Sequence, residues 1–123
     1  MNKIQKELNK KKTLELVKRE SLYRTSVGNV KCWGLTSYSH FITMAKIVWK
    51  LSKQGYSCYT EIEFINGGRA DILAIADDGT GYVIEVLHSE SDEKYESKLS
   101  SYPEELIMSS VKTKDFDINR WDL

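Results

Sequence analysis

Residues 61–87, EIEFINGGRADILAIADDGTGYVIEVL, decide the fold. Three extended runs, Glu61–Ile65, Arg69–Ala76 and Tyr82–Leu87, are separated by turn-rich breaks, Asn66-Gly67-Gly68 and Asp77-Asp78-Gly79-Thr80-Gly81. Breaks that short join antiparallel neighbours, so the stretch predicts a three-strand meander. Two carboxylates sit inside its apolar runs: Asp71 within Ala70–Ile75 and Glu85 within Tyr82–Leu87. An ionised acid in an apolar strand is costly to desolvate unless it is paired or bound to a cation. Two such acids on neighbouring strands predict a shared ligand, a divalent metal. Without the metal, one of the pair should hold a proton near neutral pH, because like charges repel at close range.

Outward from the meander, Thr36 or Ser37 caps a helix running to about Gln54, with Gly55 placed to end it. Phe41, Met44, Ala45, Val48 and Leu51 predict its core face; Ser39, Thr43, Lys46, Lys50 and Lys53 form the opposite polar stripe. His40 stands at the edge of the apolar face, either as a hydrogen-bonded structural residue or as a ligand. After the meander, Ser89–Asp92 supplies caps for a polar helix from about Asp92 to Tyr102. Pro103 ends it, and Glu105–Val111 reads as a further strand. Residues 2–20 read as a basic helix with a weak stripe of Ile4, Leu8, Leu14 and Val17, and Gly28-Asn29 predicts a small hairpin between Tyr23–Val27 and Val30–Trp33.

The 123 residues predict a single domain: a basic N-terminal extension over 1–35, a core over 36–111 and a C-terminal tail over 112–123 that packs back through Trp121. No apolar run is long enough to span a bilayer, and the Lys-rich start has no following hydrophobic region, which predicts no membrane span and no signal peptide. Cys32 and Cys58 lack metal-ligand spacing, so a cytoplasmic setting is expected. The formal net charge of zero hides a division. Residues 1–55 carry twelve Lys/Arg and three acids, +9, and residues 56–123 carry six and fifteen, −9. Such a chain either holds a polyanion with one half and a cation with the other, or pairs its own halves across one core.

The order helix, three-strand meander, helix, strand, with Gly68-Arg69-Ala70-Asp71 opening the second strand and Ile84-Glu85-Val86 in the third, resembles the PD-(D/E)XK nucleases. The resemblance covers roughly residues 36–111. It implies an α/β fold of the α+β type with a restriction-endonuclease-like core, here preceded by the basic helix and hairpin. It implies Mg²⁺ or Mn²⁺ held by Asp71 and Glu85, with the backbone carbonyl of Val86 and one acid from Glu61 or Glu63 completing the site. His40 matches a histidine of the family's exonuclease-like branch. Lys98 and Tyr102 stand where that branch carries a Gln and a Tyr four apart. The family also places Lys two residues after the glutamate, and this chain has Leu87 there. The implied activity is metal-dependent DNA cleavage in repair, recombination or mobile-element biology, with duplex or branched DNA as partner and a homodimer suited to cutting two strands.

Asp71, Glu85, His40, Lys98 and Tyr102 are then the catalytic candidates, and Lys98 is the replacement for the missing strand lysine, its long stem carrying the charge to the phosphate. Lys10, Lys11, Lys12, Arg19, Lys46, Lys50 and Arg69 are the candidate phosphate contacts. Leu87 leaves open a catalytically inactive nucleic-acid-binding module with the same fold. A plain interaction domain, its acids paired with Arg69 or Lys98, is the third reading.

Overall fold

A computed structural model of the chain describes residues 1–31, 37–87, 96 and 98–123. The element order is α1 (Lys3–Leu14), α2 (Arg19–Tyr23), α3 (Tyr38–Lys53), β1 (Ser57–Glu63), β2 (Arg69–Ile75), β3 (Gly81–Leu87), a 3₁₀ turn (Leu99–Ser101) and β4 (Ile107–Lys112). The strands form one sheet in the order β1-β2-β3-β4. The first three are antiparallel, as the short turns require, and β4 runs parallel to β3. Among the described residues this is a mixed α+β fold with a four-stranded mixed sheet and three α-helices. Among the described residues no helix is long and apolar enough to cross a membrane.

Both faces of the sheet are covered, which is why β2 and β3 read as nearly continuous apolar runs. On one face lies α3, started by Ser37, whose side chain accepts from the His40 N–H, and closed at Gly55 with φ of 93°. Met44, Ile47, Val48 and Leu51 pack onto Ile72, Ala74, Ile84 and Val86. Each such side chain contributes about 1.5–3 kcal/mol by leaving water. The buried stripe is rotated from the expected one: Ile47 and Thr43 are inside, whereas Phe41 and Ala45 are only half-buried. Cys58 belongs to this core, its thiol pushed up to about 11, chiefly by burial, so it serves as a packing residue. Phe116, Trp121 and Leu123 pack against the same cluster. On the opposite face, Leu73, Ile75 and Val83 pack with Val17, Tyr102 and Leu106.

The N-terminal third departs from its sequence reading. The helix expected over 2–20 is two helices, because residues 16–18 leave helical bonding to pair with the turn after β1. Ile65 N–H donates to the Leu16 carbonyl at 2.9 Å, and Lys18 N–H donates to that of Glu63 at 2.9 Å. No hairpin strands form on the described part of Tyr23–Trp33: Tyr23 closes α2, and Gly28 N–H donates to the Cys58 carbonyl, so the chain lies along the β1 edge. The Thr36 cap, the Cys32-Trp33 end of that hairpin and most of the helix expected over Asp92–Tyr102 lie outside the described residues.

Candidate metal centre

The site lies where β1 and β2 lose their regular alternation. Tyr59 packs toward the cluster on the face opposite α3 while Cys58 faces α3, yet Ile62 and Phe64 beyond them also join the opposite cluster. On β2, Leu73 and Ile75 share that cluster, Ile72 and Ala74 face α3, and Ala70 again joins the opposite side. The change of parity falls at Glu61 and Asp71, which sit between the pairs Thr60–Ile72 and Ile62–Ala70. Glu61 has φ of 53°, a left-handed conformation that costs a residue with a Cβ about 1–2 kcal/mol. Strain of this kind concentrates at functional sites.

Released from the pleat, Glu61 meets Asp71 and, from the first turn of α3, His40. Each offers one ligand atom, and these atoms lie within 4.8 Å of one another. His40 Nε2 and Asp71 Oδ1 are 3.8 Å apart, both side chains about one-fifth exposed. That is too long for a hydrogen bond, but it is the spacing of two donors on one ion, since metal–ligand bonds of about 2.0–2.2 Å separate neighbouring donors by about 3–4 Å. Asp71 is held in place through its other oxygen, Oδ2, which accepts from the Val86 N–H at 2.8 Å. One imidazole nitrogen and two carboxylate oxygens suit a divalent cation of Mn²⁺ type. Burial, then Asp71, raises the Glu61 pKa, with His40, Arg69 and Lys31 opposing.

Glu85 stands beside this group, within hydrogen-bonding reach of Asp71, and is only 6% exposed. Desolvation first, and the Asp71 charge second, push its pKa up to about 8, against the Tyr102 hydrogen bond and the charge of Lys98. The Tyr102 hydroxyl donates to Glu85 Oε1 at 2.6 Å. Glu61, Arg69, Asp71, Glu85, Lys98 and Tyr102 all line one open cleft of about 400 Å³.

No family model, curated protein or solved structure matches the chain.

Of the residues singled out in the sequence, Asp71, Glu85, His40, Lys98, Tyr102 and Arg69 are thus brought together. Glu63 is not. Its carboxylate lies 2.7 Å from Lys18 Nζ, and that ion pair holds its pKa below the usual carboxylate range. The expected equivalence of Glu61 and Glu63 rested on strict alternation, which the kink at Glu61 breaks. Val86 meets the site through its N–H, which donates to Asp71 Oδ2. Leu87 is 2% exposed and contributes no charge.

The expected phosphate contacts are dispersed. Lys50 Nζ donates to the carbonyls of Ile118 and Trp121 and lies 5.9 Å from the Trp121 ring centroid, so it anchors the tail instead. Lys10 lies 3.6 Å from both Glu7 and Asp77. Lys11 and Arg19 border an apolar recess at Leu14 and Ile65, and Lys12 and Lys46 are solvated. What the sequence reading missed is Glu61 as the specific partner of Asp71 and the cations Lys18, Arg24 and Lys31 gathered around Glu61 and Glu63. The Glu in a strand was visible; the backbone turn that selects it was not.

Proposed function

We propose that this chain is a metal-dependent DNA nuclease with a PD-(D/E)XK-like active site. The observation that carries the reading is the convergence of Glu61, Asp71 and Glu85 with Lys98 in one cleft, with His40 grouped beside Glu61 and Asp71. A bound Mn²⁺ or Mg²⁺ would polarise the phosphoryl oxygen and lower the pKa of a water. The chain's own residues supply the rest. Asp71 is oriented by the Val86 N–H and presents its second oxygen toward His40 and Glu61. Glu85, its Oε1 fixed by the Tyr102 hydroxyl, stands beside Asp71 and is placed to exchange a proton at the cleft. Lys98 and Arg69 border the same cleft and offset phosphate charge. A lysine on the segment after β3 thereby takes the role of the strand lysine absent at Leu87.

Buried Leu87 also favours a second reading, a nucleic-acid-binding module without catalysis. Cleavage of plasmid and branched DNA in Mn²⁺ or Mg²⁺ separates the two. Wild type should cut, Asp71→Ala should not, and Lys98→Ala should lose at least 10²-fold in rate while keeping its metal-induced rise in melting temperature. A wild type that binds DNA without cutting it would leave only the binding module. Unchanged cleavage in Lys98→Ala would remove the lysine from the mechanism.

A further inference from the structure

β1 is an edge strand, and the N-terminal segment covers that edge on both sides of Glu61. On one side Gly28 N–H donates to the Cys58 carbonyl at 2.9 Å and Lys31 N–H to Thr60 Oγ1 at 3.4 Å. On the other, Lys18 N–H donates to the Glu63 carbonyl and Glu63 N–H to Ser21 Oγ, both at 2.9 Å. Between these attachments a recess of about 200 Å³ opens at the kinked residue. Lys18, Arg24 and Lys31 reach it from three points of the N-terminal segment, and Arg69 reaches it from β2. Glu61 and Arg69 line both this recess and the metal cleft, so the two adjoin.

Asp71 and Glu61 in the metal cleft repel a polyanion, and a strand entering it needs cations beside the reacting phosphate to offset that field. We infer that the recess is a phosphate subsite, in which Lys18, Arg24, Lys31 and Arg69 hold the phosphate next to the cleaved one on the same DNA strand. The inference rests on the nuclease reading for the identity of the strand. Glu20, Glu61 and Glu63 also border the recess, and Glu63 is already matched by Lys18. A cation on His40, Glu61 and Asp71 cancels the charge of Glu61. Among the described residues four basic groups then face two acids, so the subsite is strongest when the metal centre is filled. Direct Lys and Arg contacts to phosphate release counterions, which gives the subsite a measurable salt signature.

The test is fluorescence anisotropy of a short labelled single-stranded oligodeoxynucleotide with the full chain in Mn²⁺, over a range of salt concentrations. The variants are Arg24→Ala, Lys31→Ala and their double, with Arg24→Gln as a milder change at an exposed position. Lys3→Ala, on exposed α1 surface, is the control. The double variant should bind roughly tenfold more weakly or worse. Its slope of log affinity against log salt should fall by about 1.4, two contacts at about 0.7 each. The control should match wild type, and the Mn²⁺-induced melting shift should persist in all variants. A double variant with wild-type affinity and slope would overturn the subsite, while Mn²⁺-dependent cleavage by wild type would leave the nuclease reading standing. Loss of the Mn²⁺ shift in the double variant would also overturn it, because the cations would then be supporting the metal site. Absence of DNA binding by wild type would remove both proposals.

Discussion

At the scale of single residues, Glu85 ties the site to solution conditions. Its carboxyl ordinarily titrates near 4.5 and in the metal-free fold is pushed up to about 8 by burial and by Asp71. Between those values the native state holds a proton that the unfolded chain has released, so stability falls as pH rises. The advantage is complete below about 4.5 and is lost through about 8. One proton corresponds to at most about 1.4 kcal/mol per pH unit. Urea denaturation in EDTA should therefore show wild type losing stability from pH 5 to pH 8, whereas Glu85→Gln, whose amide oxygen still accepts from Tyr102, should lose markedly less, keeping only the share of Glu61, whose pKa is also raised. Equal slopes in the two proteins would mean that another group titrates. Asp71 and Glu85 were legible in the sequence because apolar neighbours on both sides make an acid conspicuous. The choice between Glu61 and Glu63 was not, because it depends on one backbone angle, φ of 53° at Glu61, that no side-chain pattern encodes.

At the scale of elements, β2, β3 and α3 could be read because each carries its own period and its own stop signals. The rest depended on pairing between distant segments. Gly28-Asn29 does sit in a turn, Asn29 N–H donating to the Ser26 carbonyl at 3.1 Å, but the Gly28 N–H goes to Cys58 of β1, thirty residues away in sequence, and not to a hairpin partner. The same long-range logic governs the 3₁₀ turn that delivers Tyr102. Gly68, at the start of β2, lies so close to that turn that a Cβ there would run into the carbonyl of Ser101. Gly68→Ala must push the turn away, and the Tyr102 hydroxyl with it, loosening the bond to buried Glu85. A loss of about 1–3 kcal/mol is expected from such overpacking. Tyr102→Phe removes the same hydrogen bond without moving the backbone and separates the two effects. Calorimetric melting of both variants is the measurement, and a Gly68→Ala protein melting with wild type would mean that the turn shifts without cost.

At the scale of the whole molecule, the charge division of the sequence resolves into two different uses of the basic half. α1 is docked on the β2–β3 turn: Lys6 Nζ lies 2.7 Å from Asp77 Oδ2, Asn9 Nδ2 donates to the Asp78 carbonyl at 3.1 Å, and Thr13 Oγ1 donates to that of Gly79 at 2.6 Å. The contact is close enough that a Cβ at Gly79 would strike Asn9. That turn lies at the far end of β2 from Asp71, six residues at about 3.3 Å each, or roughly 20 Å away. Lys6 and Lys10, held at that turn, are therefore remote from the candidate metal centre, whereas Lys18, Arg24 and Lys31 stand beside it. Deleting residues 1–14 should cost stability, of order 2–4 kcal/mol from the lost Thr13 bond and the apolar packing of Leu14. It should change the salt slope of DNA binding by less than about 0.5, although it removes five lysines. This reverses the expectation from composition, in which the basic N-terminal helix carries the affinity. Denaturation and anisotropy on the truncated chain distinguish the two. A slope that falls by about 3 with little loss of stability would make α1 the principal phosphate contact, and the docking of α1 would then be incidental to its lysines.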